Sequence, residues 1–206
     1  MINIFDKNPI NLGNLTCHSG GAEGSDFFFF ESIGNRYGVL TKAYSYKTKS
    51  HKSTSKVEIS DSDYLEGVLE IKNANKILKR YGIDRYMNLL ARNWVQVKYS
   101  KQIFAIGTIL SPGEKGSKGH KSNAKHQTVD GGTGYGIQMG INNLRDIYVF
   151  DQNKSSWYHW DYNSISFKLT KPPTITFENF AGIGTRQINQ NGIDAIEKLY
   201  LDTFSK

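Results

Sequence analysis

Apolar and polar positions alternate along this chain in two different periods. Residues 14–18 (NLTCH) read as a short strand and 39–46 as a second, with a helix over 26–37 between them that stops at Gly38. Ser60 opens the run Ser-Asp-Ser-Asp, a capping-box-like start. The helix it begins carries Leu65, Val68, Leu69, Ile71, Ala74, Ile77 and Leu78 at helical spacing and ends at Gly82. Asp84 starts another helix, DRYMNLLARNWVQVKYS. The unbroken apolar run IFAIGTIL (103–110) has the length and composition of a strand buried on both faces of a parallel sheet. After it come a glycine turn leading into a short helix (VDGGTGYGIQMGINN) and the strand DIYVFDQ. An aromatic-rich antiparallel excursion at 157–171 is then broken by Pro172 and Pro173. The strand in ITFENFAGIGTR and a helix over 187–204 complete the series. Strands alternating with helices predict an α/β fold: a Rossmann-like, mostly parallel sheet flanked by helices, with a small antiparallel excursion near 157–171.

Length adds that 206 residues make one domain, 1–206, that buries roughly 70 % of its unfolded surface. No apolar run approaches the ~20 residues of a membrane helix, which predicts a soluble protein without a membrane partner. The start, MINIFDKNPINLGN, lacks the features of a secretory signal, and the expected location is the cytoplasm. The single cysteine, Cys17, excludes internal disulfides and reads as a buried small hydrophobe. His18, His51, His120, His126 and His159 are scattered without metal-ligand spacing, so neither a metal nor a cofactor is expected.

Charge sharpens the picture. Twenty-six Lys and Arg against nineteen Asp and Glu give a net charge of +7, which favours an anionic partner. The excess sits in two loops, 42–56 (KAYSYKTKSHKSTSK) and 111–126 (SPGEKGSKGHKSNAKH). A nucleic-acid surface wants cations in a broad stripe with accessible aromatics, so nucleic acid is possible but not favoured, and a small phosphate compound is preferred.

Three strand-to-helix junctions are glycine turns: Gly20-Gly21-Ala22-Glu23-Gly24, Gly131-Gly132-Thr133-Gly134 and Gly182-Ile183-Gly184-Thr185. In a parallel sheet such junctions lie at the carboxyl ends of the strands, where ligands bind. Glycine lets the backbone approach a phosphate, and a following helix offers unpaired N–H groups. The three turns are therefore expected to face one site. Ser19 and Asp26 flank the first turn, and Arg186 after the third offers a two-pronged fork to phosphate. Lys47 of the first basic loop and Gly107 of the apolar run are further candidates. Arg92 and Asn93 stand out on an otherwise apolar helix, with a buried structural ion pair as the competing reading. Trp157, Tyr158 and Trp160 either stack on a base or belong to the core. Glu23 and Asp26, with Asp151 at a strand tip, are the carboxylates available for chemistry, although an acid at Asp26 also suits the first turn of a helix.

The series SGGAEGSD, LLARNWVQV, FAIGT, GGTGYGIQM, YVFDQ, WYHW and FAGIGTRQIN resembles the SLOG superfamily over nearly the whole chain. This Rossmann-like group contains the Lonely-Guy enzymes and the DprA-type DNA-processing proteins, and the series is most similar to phage-encoded, YpsA-related SLOG proteins. In the Lonely-Guy signature PGGxGTxxE the glycines bind a nucleotide phosphate and the glutamate assists N-glycosidic cleavage. Here the glycines stand at Gly131, Gly132 and Gly134, but the proline is Asp130, the threonine is Tyr135 and the acid is Gln138. Glutamine can hydrogen-bond a ribose hydroxyl and cannot ionise. The resemblance thus implies a nucleotide-derived ligand, such as a cyclic ADP-ribose isomer, that is bound and sequestered to counter host immunity. It also implies a homodimer or higher homo-oligomer. The alternatives are a Lonely-Guy-type N-glycosidic or phosphodiester hydrolase and, third, a DprA-like single-stranded DNA-binding protein.

Overall fold

The computed structural model describes residues 11–48 and 51–205; the amino-terminal decapeptide, Lys49 of the first basic loop and the side chains of Phe28 and Phe29 lie outside the described residues. Strand β1 (Thr16–Ser19) leads through a π-helical segment (Ser25–Glu31) into helix α1 (Ser32–Arg36), and β2 (Leu40–Ser45) returns parallel to it. Gly38 adopts φ +72°, and Val39 N donates to the Gly34 carbonyl (3.0 Å), so the helix stops where glycine permits a left-handed turn. A three-residue strand, β3 (Lys56–Glu58), emerges from the first basic loop and adds parallel to β2. Its three side chains are exposed, and charges at both ends suit an edge strand.

Helix α2 (Asp61–Leu78) begins at the expected cap: Ser60 Oγ accepts from Asp63 N at 3.0 Å, worth about 1 kcal/mol. The helix ends earlier than Gly82, because Lys79 itself takes the left-handed conformation (φ 52°). Its buried face is Gly67, Ile71, Ala74 and Leu78, whereas Leu65 and Leu69, expected in the core, are exposed. The stripe is shifted because Gly67 lies directly on the Ala91 carbonyl of helix α3 (Met87–Tyr99), and that close crossing sets which side of α2 faces inward.

The apolar run does not form one strand. It breaks at Thr108 into β4 (Gln102–Gly107), in the main sheet, and β5 (Ile109–Leu110), which pairs antiparallel with β6 (Thr128–Val129) in a separate two-stranded sheet. Asp151 holds the break open by accepting from Ile109 N (3.1 Å). Helix α4 (Thr133–Asn142) and strand β7 (Asp146–Asp151) follow, and then the antiparallel strands β8 (Ser156–Asp161) and β9 (Ser166–Thr170). The last strand, β10 (Asn179–Gly184), and helix α5 (Gln190–Phe204) end the fold.

The eight-stranded sheet has the order β3-β2-β1-β10-β4-β7-β8-β9, parallel from β3 through β7. This is a Rossmann-like α/β arrangement with the last strand inserted between β1 and β4. The π-helical segment, α1 and α5 cover one face, around Phe30, Phe104, Phe180 and Tyr200. Helices α2, α3 and α4 cover the other, around Ile71, Ile103, Ile137 and Trp160. Gly182, inside β10, has the Phe30 ring pressed on its α-carbon. Gly182→Ala is expected to cost about 1–3 kcal/mol by overpacking, seen as a lower urea midpoint at unchanged m-value.

Among the described residues no helix is long and apolar enough to cross a membrane, and no group of three or more His, Cys, Asp and Glu is placed to hold a metal ion.

Candidate functional site

The first and third glycine segments form one unit at the carboxyl ends of β1 and β10. Register puts Ser19 beside Gly182, and the chain after each strand then crosses the other. Ser25 N and Ser25 Oγ both donate to the Thr185 carbonyl (3.1 and 2.8 Å). Gly24 has φ +99°, and a β-carbon on it would stand 2.5 Å from Arg186 Cα, so only glycine fits this crossing. Gly182 and Gly184 lie within β10 rather than in a turn. Gly182 accommodates Phe30 and Gly184 accommodates Ser25, so the turn itself is Thr185-Arg186.

Asp26 is what the first turn grips. Its Oδ1 accepts from Gly184 N at 2.9 Å, and the N–H groups of Gly20 and Ala22 also favour its charged form. Burial outweighs these contacts and the nearby Arg92, and pushes the carboxyl up to about 6. Ser19, fully buried, accepts from Gly21 N through Oγ (3.2 Å) and tightens the same turn. Glu23 is exposed.

Arg92 enters from α3. Its side chain is buried, and Nη1 donates to the carbonyls of Gly20 and Tyr44, the latter at 3.3 Å. Its Nε has no hydrogen-bond partner, and among the described residues no carboxylate lies within 4 Å of the guanidinium. One turn along the helix, Gln96 is fully buried, donates to Asn93 Oδ1 (3.2 Å) and leaves Oε1 unpartnered. A β-carbon on Gly20 would stand 2.6 Å from Asp26 Oδ2, 2.9 Å from Gln96 Nε2 and 3.0 Å from Arg92 Nη2. Gly20 therefore sits at the centre of a polar cluster in which Arg92 and Asp26 influence each other's charge without a contact ion pair.

His51 closes this cluster from outside. Its ring lies on Gly21 (φ +57°), its Nε2–H donates to the Ala43 carbonyl (3.1 Å), and its Nδ1 is buried without a partner. Burial, then the charge of Arg92, lowers its pKa and keeps the ring neutral. Lys52 N donates to the Gly21 carbonyl (3.0 Å), and Ser53 Oγ donates to Glu31 (2.5 Å).

The second glycine turn is held differently. Asp130 accepts from Gly131 N and from Ser117 N, each at 2.8 Å, so its carboxylate takes a donor that a phosphate would use. Arg80 donates to the carbonyls of Val129 and Gly131, both at 2.6 Å, and its guanidinium carbon lies 5.4 Å from the centre of the Tyr135 ring. Gly134 packs on the Val129 carbonyl, and Gly107 lies under Val129 with Thr133 beyond it. Gly132 is exposed, and Gly136 of α4 packs beneath Ile183 and Asn93, which links this turn to the first cluster.

The candidates thus separate. Ser19, Gly20, Gly21, Gly24, Asp26, Arg92, Asn93, Gly184, Thr185 and Arg186 gather around β1 and β10. Gly107, Gly131, Gly132, Thr133 and Gly134 gather at the start of α4. Lys47 points to Tyr46 and Asp61 beside the β2–β3 edge (3.1 and 3.7 Å). Gln138 is buried inside α4 and donates to Asn142 Oδ1 (3.0 Å). Asp151 is fully buried, accepting from Ile109, Asn153 and Lys154 N–H groups. Trp157 and Trp160 are core residues, packed against Phe150 and Phe167 respectively.

Gln96, His51 and Arg80 were not among the expected residues. Gln96 was within reach, since it lies four positions after Arg92 and therefore on the same helix face. His51 and Arg80 act through contacts 30 or more residues away in sequence, for which no local pattern exists. A scan against protein-family models, a search of the curated proteins and a search of the solved structures each returned no match.

Proposed function

We propose that this chain binds a nucleotide-derived signalling molecule of the ADP-ribose class at the carboxyl-end rim of β1, β10 and β4, and holds it without cleaving it. One observation carries the reading: the Arg92 guanidinium is buried beside the first glycine turn with an Nε that has no partner and, among the described residues, no carboxylate within 4 Å. Asp26 offsets part of this charge at longer range, but a buried cation without a contact ion pair still costs free energy, and an anionic ligand would offset it. Arg186, exposed on the adjoining turn, adds a second cation for a second phosphate.

Holding rather than cleaving is supported chiefly by Gln138 standing where the Lonely-Guy acid does, with Glu23, exposed on the first turn, and Asp26 as the carboxylates nearest the cluster. Asp26, Asp130 and Asp151 each accept backbone N–H groups, and Gln138 is buried in a pair with Asn142. No general acid of the Lonely-Guy kind is thereby left at that position. In this reading the protein is a phage-type sponge that sequesters an immune messenger, a role inferred from the SLOG resemblance.

The test is mass spectrometry of small molecules released by denaturing the purified protein after exposure to ADP-ribose and its cyclic isomers. Intact ligand is expected, together with a melting temperature that rises with the logarithm of ligand concentration at saturation. Recovery of free base or linearised product alone would replace the sponge with a hydrolase.

A further inference from the structure

The second lysine loop, 111–126, holds no Phe, Trp or Tyr of its own; the fold brings it and two tyrosines together. The turn between α2 and α3 (79–86) meets the loop between β5 and β6 (111–126). Asn123 Nδ2 donates to the Lys79 carbonyl (3.3 Å), and Lys118 Nζ lies 5.6 Å from the centre of the Tyr86 ring. The Arg85 guanidinium carbon is 5.9 Å from that same ring. The loop is built rather than loose. Gly113 N donates to Ser122 O (2.9 Å), Lys115 and Lys121 form a β-bridge, and Ser117 N is pinned by Asp130 (2.8 Å).

Two features of this surface need a partner. Lys79, Arg85, Lys115, Lys118, Lys121 and Lys125 are exposed, against only Asp84 and Glu114 in the same two segments. Tyr81 is 92 % exposed, so its ring stands in water among those cations, and Tyr86, 45 % exposed, keeps part of its ring open beside Lys118 and Arg85. A cationic surface with open aromatic rings matches a strand whose phosphates and unpaired bases are both available. An acidic peptide would use the charges and leave the rings without work. A duplex would keep its base faces stacked.

We propose that this surface binds single-stranded nucleic acid, with the lysines and Arg85 on phosphates and Tyr81 and Tyr86 stacking on bases. It is separate from the Arg92 cluster and stands whether or not that cluster takes a nucleotide.

The experiment is fluorescence anisotropy of a labelled 20-nucleotide oligo-dT and oligo-rU with the full chain at 50 and 200 mM NaCl. Neutralising three to four phosphates predicts about 20- to 50-fold weakening over that range. Tyr81→Ala with Tyr86→Ala is expected to weaken binding about tenfold or more at an unchanged salt slope. Lys115→Glu, Lys118→Glu and Lys121→Glu together should both weaken binding and flatten the slope. Lys118→Glu alone is compared with Lys101→Glu, which makes the same change in net charge at an exposed lysine at the opposite, amino end of β4 and should stay within about twofold. Melting temperatures confirm that each variant is folded, and Tyr81→Ala alone serves if the double variant is not. No saturable binding at 50 mM NaCl, tyrosine variants that bind like the parent, or equal loss from Lys101→Glu would each overturn the proposal.

Discussion

Arg92→Met is expected to abolish the melting-temperature rise that saturating ADP-ribose gives the parent protein. Methionine keeps most of the length and apolar surface of the arginine stem while removing the charge and every donor. Truncating a buried charged contact to a ligand costs about 2–5 kcal/mol, so affinity should fall at least 30-fold. Two terms oppose each other in the free protein. The carbonyls of Gly20 and Tyr44 lose a donor and Asp26 loses a nearby positive charge, whereas a buried cation without a contact ion pair disappears. The unliganded protein should therefore stay folded, and the ligand response is the readout. A purely structural arginine would give the reverse: a less stable protein whose melting temperature still rises with ligand. Arg92→Lys should recover little of the binding, since an ammonium cannot reproduce the planar fork.

Asp26→Asn should remove a segment of the pH dependence of stability. The Asp26 carboxyl is raised from 3.8 to about 6 in the folded chain, chiefly by burial. Between those values the folded state holds a proton that the unfolded state has released. Stability therefore increases as pH falls from 7 towards 4 and is lost again as pH rises through 6, by about 3 kcal/mol from this group. Glu31 is raised in the same direction, also by burial, and is unchanged in the variant, so the difference between the two proteins isolates Asp26. Urea denaturation at pH 7, 6, 5 and 4 measures it. Parallel curves for parent and variant would mean that the carboxyl titrates as an exposed one. The two predictions are coupled, because Arg92 lowers the Asp26 pKa and its removal should lift that pKa further.

These two residues also mark how far the chain could be read in one dimension. Period, with glycine and capping signals, placed β1, β2, β4, β7 and β10 and the helices between them, because a strand buried on both faces must be continuously apolar and an amphipathic helix must repeat every three to four residues. The exposed edge strand β3 has no such pattern. Period failed where a local pattern was overruled by a neighbour. IFAIGTIL carries only Gly107-Thr108 as an interruption, yet it splits there, and Asp151, 42 residues away from Ile109, takes that residue's amide. Leu65 and Leu69 fit the helical stripe but face outward, since the α2–α3 crossing at Gly67 and Ala91 fixes the rotation of α2. The glycines read as places where a phosphate approaches the backbone, and what approaches several of them is the chain itself: the Phe30 ring at Gly182, Ser25 at Gly184 and the His51 ring at Gly21.

The sequence by itself determined the class of this protein. Alternating strand and helix periods, the glycine-marked strand ends and the cationic excess follow from side-chain chemistry and spacing, which are local. Only the tertiary structure decided the rest. It inserted the last strand between β1 and β4, so that Gly184 could donate to Asp26 across 158 residues, and it left Arg92 buried without a contact ion pair among the described residues. It also set Tyr81 and Tyr86 beside a lysine loop about 30 residues further on. The physical reason is that burial, desolvation and charge pairing depend on which distant segments share a volume, and composition along the chain does not encode that distance.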